Sequence, residues 1–248
     1  MTAGSLDAIV LAGGVAARLG GIDKPGLVIG TASLLAAVAG AAAGAGARRI
    51  IVVGPERPGV AELIAAAGGQ LMMTREDPPG AGPVPALRAG LALAEASWVA
   101  LLAGDMPFLR PGHLRDLLDA AGYGPDNAAP GDRRGRTASG KRPTWARGAG
   151  EPAGAVLLDD EGQRQWLAGC WRTAVLRAAL ADYDGRSLRG LLGPLEPTLV
   201  RSAAGDGAPP WLDCDTPADV AAARAWTGDN AAAGCTAVDG AAADGSGG

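Results

Sequence analysis

The chain has 248 residues, 48% hydrophobic but only 4% aromatic, so it can bury a sizeable core of small and aliphatic side chains. A net charge of −4 argues against a surface that grips nucleic acid, while leaving room for a local cationic pocket around a phosphate ligand. The three cysteines, Cys170, Cys214 and Cys235, form no CxxC pair and no even set; this argues against a disulfide framework or structural zinc and fits a reducing cytoplasm. The first residues lack the basic start and long apolar run of a signal peptide, and no apolar stretch is unbroken enough to cross a bilayer. A cytoplasmic protein without membrane contact is therefore expected.

Asp7–Leu11 is short, rich in branched aliphatic residues and followed by glycines, which predicts a buried strand entering a loop. The alanine- and leucine-rich stretch to Ala43 predicts a helix with Ser33 or Thr31 near its cap. Strands are expected at 50–53, 71–73 and 98–102, with helices at 60–67, 84–94 and 111–121 between and after them. Gly68 and Gly69 end the first of these helices and Pro83 starts the second. Regular pattern resumes at Ala155–Leu158, followed by a strand at 166–171, helices at 173–181 and 187–192, a strand at 197–200 and a closing helix at 217–226.

This alternation predicts an α/β fold: an open, mostly parallel, doubly wound sheet in a three-layer α/β/α arrangement. Ligands bind such sheets at the carboxyl ends of the strands, which singles out the loops after Leu11 and Leu102. The reading gives one domain over 1–227. Within it, 122–154 is expected to be a disordered insertion, locally basic through Arg133, Arg134, Arg136, Lys141, Arg142 and Arg147. A disordered, low-complexity tail is expected over 228–248.

Leu11–Pro25 reads LAGGVAARLGGIDKP. Its glycines, among them Gly13 and Gly14, allow tight turns whose backbone amides can cradle phosphate oxygens. Arg18 and Lys24 add the positive charge that a triphosphate needs as pyrophosphate departs. No G-K-[ST] and no G-x-G-x-x-G occurs here, so neither a Walker A loop nor a dinucleotide loop is indicated. In Ala103–Pro107 (AGDMP), Asp105 follows a buried strand, where a carboxylate serves either as a turn residue or as a ligand of Mg²⁺ bridging phosphates.

The first of these stretches resembles the molybdopterin nucleotidyltransferase signature LAGG-x-x-x-R-[LM]-GG-x-DK, with every fixed position present from Leu11 to Lys24. Asp105-Met106-Pro107-Phe108 is similar to the family's C-D-x-P-[FY] motif. The resemblance implies a Rossmann-like nucleotidyltransferase sheet with a GTP site at Leu11, Ala12, Gly13, Gly14, Lys24, Asp77 and Asp105. It implies Arg18, Lys24 and Asp105 as catalytic residues and Mg²⁺ as cofactor on Asp105. Asp215, in a stretch similar to the family's N-x-[ND]-TP element, is either a second metal ligand or a helix cap. Gln165 and Arg172, in a stretch similar to Q-x-L-x-x-x-[WY]-x, are the candidates for meeting the second substrate.

The implied reaction is transfer of GMP from GTP to the phosphate of molybdenum-bearing molybdopterin, with transient contact to molybdoenzyme maturation proteins. Val84, Pro85 and Ala86 depart from the family's L-A-G, which keeps CTP, sugar-phosphate and phospholactate transferases open as alternatives. A nucleotide-binding adaptor without turnover is a further one. His113 has no motif partner and is expected to be structural.

Overall fold

The computed structural model describes residues 5–13, 24–56, 60–66, 68–123, 152–201 and 207–235. Its centre is a seven-stranded sheet. In chain order the strands are β1 (Leu6–Leu11), β4 (Ala47–Val53), β5 (Gln70–Thr74), β6 (Trp98–Ala103), β7 (Gly154–Leu158), β8 (Arg164–Arg172) and β9 (Thr198–Arg201). A separate hairpin pairs β2 (Val28–Ile29) with β3 (Ala32–Ser33). The helices are α1 (Leu34–Gly44), α2 (Val60–Ala66), α3 (Pro83–Leu93), α4 (Pro111–Ala120), α5 (Thr173–Ala181), α6 (Leu188–Leu192) and α7 (Pro217–Cys235).

The strand order is β5-β4-β1-β6-β8-β7-β9. β1 is parallel to both neighbours, with Ile9 level with Ile51 on one side and Leu101 on the other. β8 alone runs against its neighbours β6 and β7. The chain therefore winds outward from β1 through β4 and β5, then returns to the other side of β1 with β6. That reversal opens a crevice beyond the carboxyl ends of β1 and β6, where such sheets bind ligands.

Alternation along the strands creates two cores, one on each face. Ala8 and Val10 of β1 pack with Leu35 and Val38 of α1, Ile64 of α2 and Leu114 and Leu117 of α4. Ile9, between them, packs with Val84, Leu87 and Leu91 of α3, Leu176 of α5 and Leu191 of α6. Ser33 caps α1, its hydroxyl accepting the Ala36 N–H at 3.2 Å. Among the described residues no helix is long and apolar enough to cross a membrane.

Three expectations change. α7 does not stop at 226 but runs to Cys235, inside the stretch read as a disordered tail. Its alanines favour helix even where no apolar stripe marks one. Both ends of the stretch read as the 122–154 insertion are ordered: Tyr123 donates its N–H to Leu118 O at 2.8 Å and meets the Trp98 ring edge-on, and β7 already begins at Gly154. Residues 124–151 and 236–248 lie outside the described residues. The β2/β3 hairpin was not expected, because two-residue strands carry no periodicity.

Candidate active site

Three segments distant in sequence meet at the β1/β6 crevice. Lys24 opens a 3-10 turn (Lys24–Gly26) that leads into the β2/β3 hairpin. Asp105 sits in the turn after β6, and Asp215 precedes α7. A small core holds them in place: Ile29 and Leu34 come from the Lys24 side, Phe108 from the Asp105 loop, and Cys214, Val220 and Ala223 from the Asp215 side. Burial of these apolar groups delivers three charged side chains to one point.

The Lys24 ammonium forms ion pairs with both the Asp105 and Asp215 carboxylates. Its side chain is 12% exposed, against 20% for Asp105 and 46% for Asp215. Burial by itself lowers the Lys24 pKa, but hydrogen bonds and charge attraction from Asp105 and Asp215 outweigh it, and the net shift is upward. Lys24 is thus a fixed cation at neutral pH. Nearby Asp213 is shifted upward, first by partial desolvation and then by the negative charges of Asp215 and Asp105. Burial pushes the Cys214 thiol up to about 11, which makes it an apolar packing group and not a nucleophile.

The Asp105 oxygens are not equivalent. Oδ2 meets Lys24, while Oδ1 is buried without a hydrogen-bond partner. An unpaired, buried carboxylate oxygen beside a second carboxylate is a hard-oxygen donor set. It fits Mg²⁺, which takes one or two carboxylates and completes its shell with water and substrate phosphates. Among the described residues no group of three or more His, Cys, Asp or Glu side chains gathers to hold a metal by protein ligands alone.

The sequence left Asp215 as ligand or cap. The cap belongs to its neighbours: Asp219 accepts from the Thr216 N–H at 2.7 Å and from its hydroxyl at 2.8 Å, and Thr216 Oγ1 accepts the Asp219 N–H at 3.2 Å. The Asp215 carboxylate is directed to Lys24 instead.

Leu11, Ala12 and Gly13 end β1 between two close backbone approaches. Ala12 N–H donates to Val53 O at 2.9 Å, and Gly104 N–H donates to Leu11 O at 3.0 Å. A Cβ on Gly54 would lie 2.8 Å from the Ala12 carbonyl, and one on Gly104 would lie 3.2 Å from Ala12 Cβ, so both glycines let the loop pass. Gly14 and Arg18 lie outside the described residues.

Of the two acids that follow β5, the fold turns one toward this loop. Asp77 is exposed, whereas Glu76 is buried and its carboxylate faces Gly13.

The second-substrate candidates are also divided. Gln165 lies toward the site edge of β8, its amide donating to Asp159 Oδ2 at 2.8 Å. Arg172 lies at the other end of the same strand, level with Trp98 at the start of β6. Its guanidinium stacks 4.8 Å from the Trp98 ring and donates to Pro152 O. The two residues stand at opposite ends of β8 and so at opposite edges of the sheet. His113 is structural as expected, its Nδ1 accepting the Arg110 N–H at 3.1 Å in the cap of α4.

The chain is similar to several known proteins. A phosphoenolpyruvate guanylyltransferase of Salinispora arenicola is 40% identical over 75 residues, covering 30% of this chain and 34% of that protein, so the match spans about a third of the relative's length. A nucleotidyl transferase from Methanothermobacter thermautotroptrophicus superposes with a TM-score of 0.63 at 20% identity, covering 91% of this chain and 99% of that one. Molybdopterin-guanine dinucleotide biosynthesis protein A from Archaeoglobus fulgidus gives 0.56 at 16% identity, covering 90% and 99%. These two structures share the fold. The model of the MobA-like NTP transferase domain matches residues 8–199, more than half of the sequence, and the chain belongs to the MobA-like NTP transferase family.

Proposed function

We propose that this chain transfers GMP from GTP to the phosphate of a small acceptor, with release of pyrophosphate. The observation that carries the reading is the convergence of Lys24, Asp105 and Asp215 at the carboxyl edge of β1 and β6. A phosphate oxygen of the acceptor attacks the α-phosphorus of GTP while the bond to the β,γ-pyrophosphate breaks in line. The nucleophile is already an anion, so no protein base and no covalent intermediate is needed. Catalysis then consists of positioning and charge neutralisation.

Lys24 offers a desolvated cation to charge developing at the α-phosphate, and the amides after Ala12, with Arg18, hold the departing pyrophosphate. Asp105 and Asp215 would hold Mg²⁺, which when bound supplies neutralisation and alignment of the phosphates. Gln165, at the site edge of β8, is the candidate for meeting the acceptor.

Molybdopterin is the proposed acceptor, supported by the intact LAGG…R-L-GG…DK signature and by the name of the Archaeoglobus structure. A second acceptor, a phosphorylated small acid such as phosphoenolpyruvate, is favoured by the Salinispora relative. Pyrophosphate release should be measured with GTP or CTP and with each acceptor in turn. Turnover is expected with GTP and one acceptor. Turnover with CTP alone would remove the guanylyl assignment, and GTP binding without turnover with any acceptor would leave an adaptor.

A further inference from the structure

We propose that a cavity at the amino-terminal edge of the sheet, the edge opposite Lys24, binds the phosphate group of a small ligand through Arg48 and Arg49. The cavity measures about 390 Å³ and is lined by Ser5 and Asp7, by Arg48 and Arg49 of β4, by Gln70 of β5 and by Glu95 after α3. The six residues of β1 separate the two edges by about 20 Å. A ligand in this cavity therefore meets neither Lys24 nor Asp105, and its binding does not depend on the nucleotidyl-transfer reading.

Neighbouring residues of a strand point to opposite faces, so two adjacent arginines should diverge. Here the register between β1 and β4 slips: Leu6 is level with Ala47, but Asp7 is level with Arg49. Arg48 is thus the extra residue of a bulge, a device that re-aims a side chain at the edge of a sheet. Both arginines line the one cavity as a result. They are not equally engaged. Arg49, 25% exposed, pairs with Glu95 at 2.7 Å, whereas Arg48 is exposed and forms no ion pair among the described residues.

Two of the negative groups at this edge are already satisfied by donors. Asp7 is 2% exposed, and its Oδ2 accepts the N–H groups of Glu95 at 2.8 Å and Ala96 at 2.9 Å. The carbonyls at the end of α3 carry partial charge that would repel an anion. Arg177 covers them, donating to Leu91 O at 3.1 Å and Ala94 O at 2.7 Å. Glu95 differs, because its side chain is 74% exposed and an exposed ion pair costs little to break. When Glu95 turns to solvent, two guanidinium forks face the cavity together. Such forks match oxyanions, and a phosphate has oxygens enough for both. Glu95 is the stand-in for that anion on Arg49, and Gln70 and Ser5 add donors for the rest of the ligand.

Titration calorimetry with inorganic phosphate, on the full chain without Mg²⁺ or nucleotide, tests the site. Arg48→Ala should weaken phosphate binding about tenfold or more, the worth of one hydrogen bond to a charged group. Glu95→Gln should tighten it several-fold by removing the competing carboxylate, and it keeps the test open should Arg48→Ala not fold. Lys24→Ala, at the other edge, should leave this binding within about twofold. Unchanged phosphate affinity in a folded Arg48→Ala, or no gain in Glu95→Gln, overturns the proposal. So does loss of binding in Lys24→Ala, which would put the phosphate at the reaction edge instead.

Discussion

Lys24 and Asp215 stand 191 positions apart in sequence, yet their side chains are in direct contact, and the same ammonium also meets Asp105. One cation thus organises two carboxylates that the fold delivers from different segments. Removing any of the three should cost activity according to how desolvated it is. Lys24→Ala and Asp105→Asn are each expected to slow pyrophosphate release about 10²–10³-fold, the usual cost of one electrostatic contact to a transition state. Asp215→Asn, at a site 46% exposed, should cost less. Single-turnover rates with saturating GTP check this ranking, and a wild-type rate in Lys24→Ala would contradict the role given to Lys24.

The same geometry sets Lys24 and a divalent ion in competition for the Asp105 and Asp215 oxygens when no triphosphate is present. Removing the ammonium takes away a cation that both carboxylates contact. Lys24→Ala is therefore expected to bind Mn²⁺ more tightly than the wild type without nucleotide, by several-fold, while losing turnover. Titration followed by electron paramagnetic resonance measures it. Weaker Mn²⁺ binding in the variant would show that the two carboxylates do not form one cation site.

The parallel half of the sheet was legible because its strands are short aliphatic runs ending in glycine. Asp7–Leu11 and Trp98–Leu102 mark both sides of the crevice by sequence alone. The contact between Lys24, Asp105 and Asp215 was only half legible. Motifs named the residues, but the small core around Phe108 and Cys214 that joins them has no local pattern. The choice between Glu76 and Asp77 was not legible, since it depends on the backbone turn after β5. Nor was the division of Gln165 from Arg172: seven residues of extended strand span about 23 Å, too far for one small ligand.

That separation gives a direct comparison. Gln165→Ala should raise the KM for the acceptor several-fold, because the amide lies at the site edge and is oriented by Asp159. Arg172→Ala should leave that KM within about twofold and instead lower thermal stability by roughly 0.5–1 kcal/mol through loss of its stacking on Trp98. A raised acceptor KM in Arg172→Ala, with stability unchanged, would return Arg172 to the substrate site.

Thr216 links stability to the cluster. Its hydroxyl accepts the Asp219 N–H and donates to the Asp219 carboxylate at the start of α7, one residue from Asp215. Thr216→Ala should cost about 1 kcal/mol of stability, as lost caps do, and should reduce turnover further by loosening Asp215. Thr216→Ser, which keeps the hydroxyl, should restore both. Failure of serine to restore turnover would mean that the Thr216 methyl, and not the cap, positions Asp215.

His113 supplies a pH test away from the reaction. Burial depresses its pKa below the ordinary 6.5; Asp116 opposes the shift and Arg110 adds to it. Protonation also takes away the Nδ1 lone pair that accepts the Arg110 N–H. A depressed histidine binds fewer protons folded than unfolded, so stability rises with pH in this range. Its contribution is complete above about pH 6.5, and it is lost as pH falls from there through the folded value. His113→Gln keeps an acceptor at the same helix position without titrating. The wild-type melting temperature should fall more steeply than that of the variant as pH drops below about 6.5, with the carboxylates common to both cancelling in the difference. Parallel melting curves down to pH 5 would show that the imidazole takes up protons equally in the folded and unfolded states and that the cap of α4 carries no pH dependence.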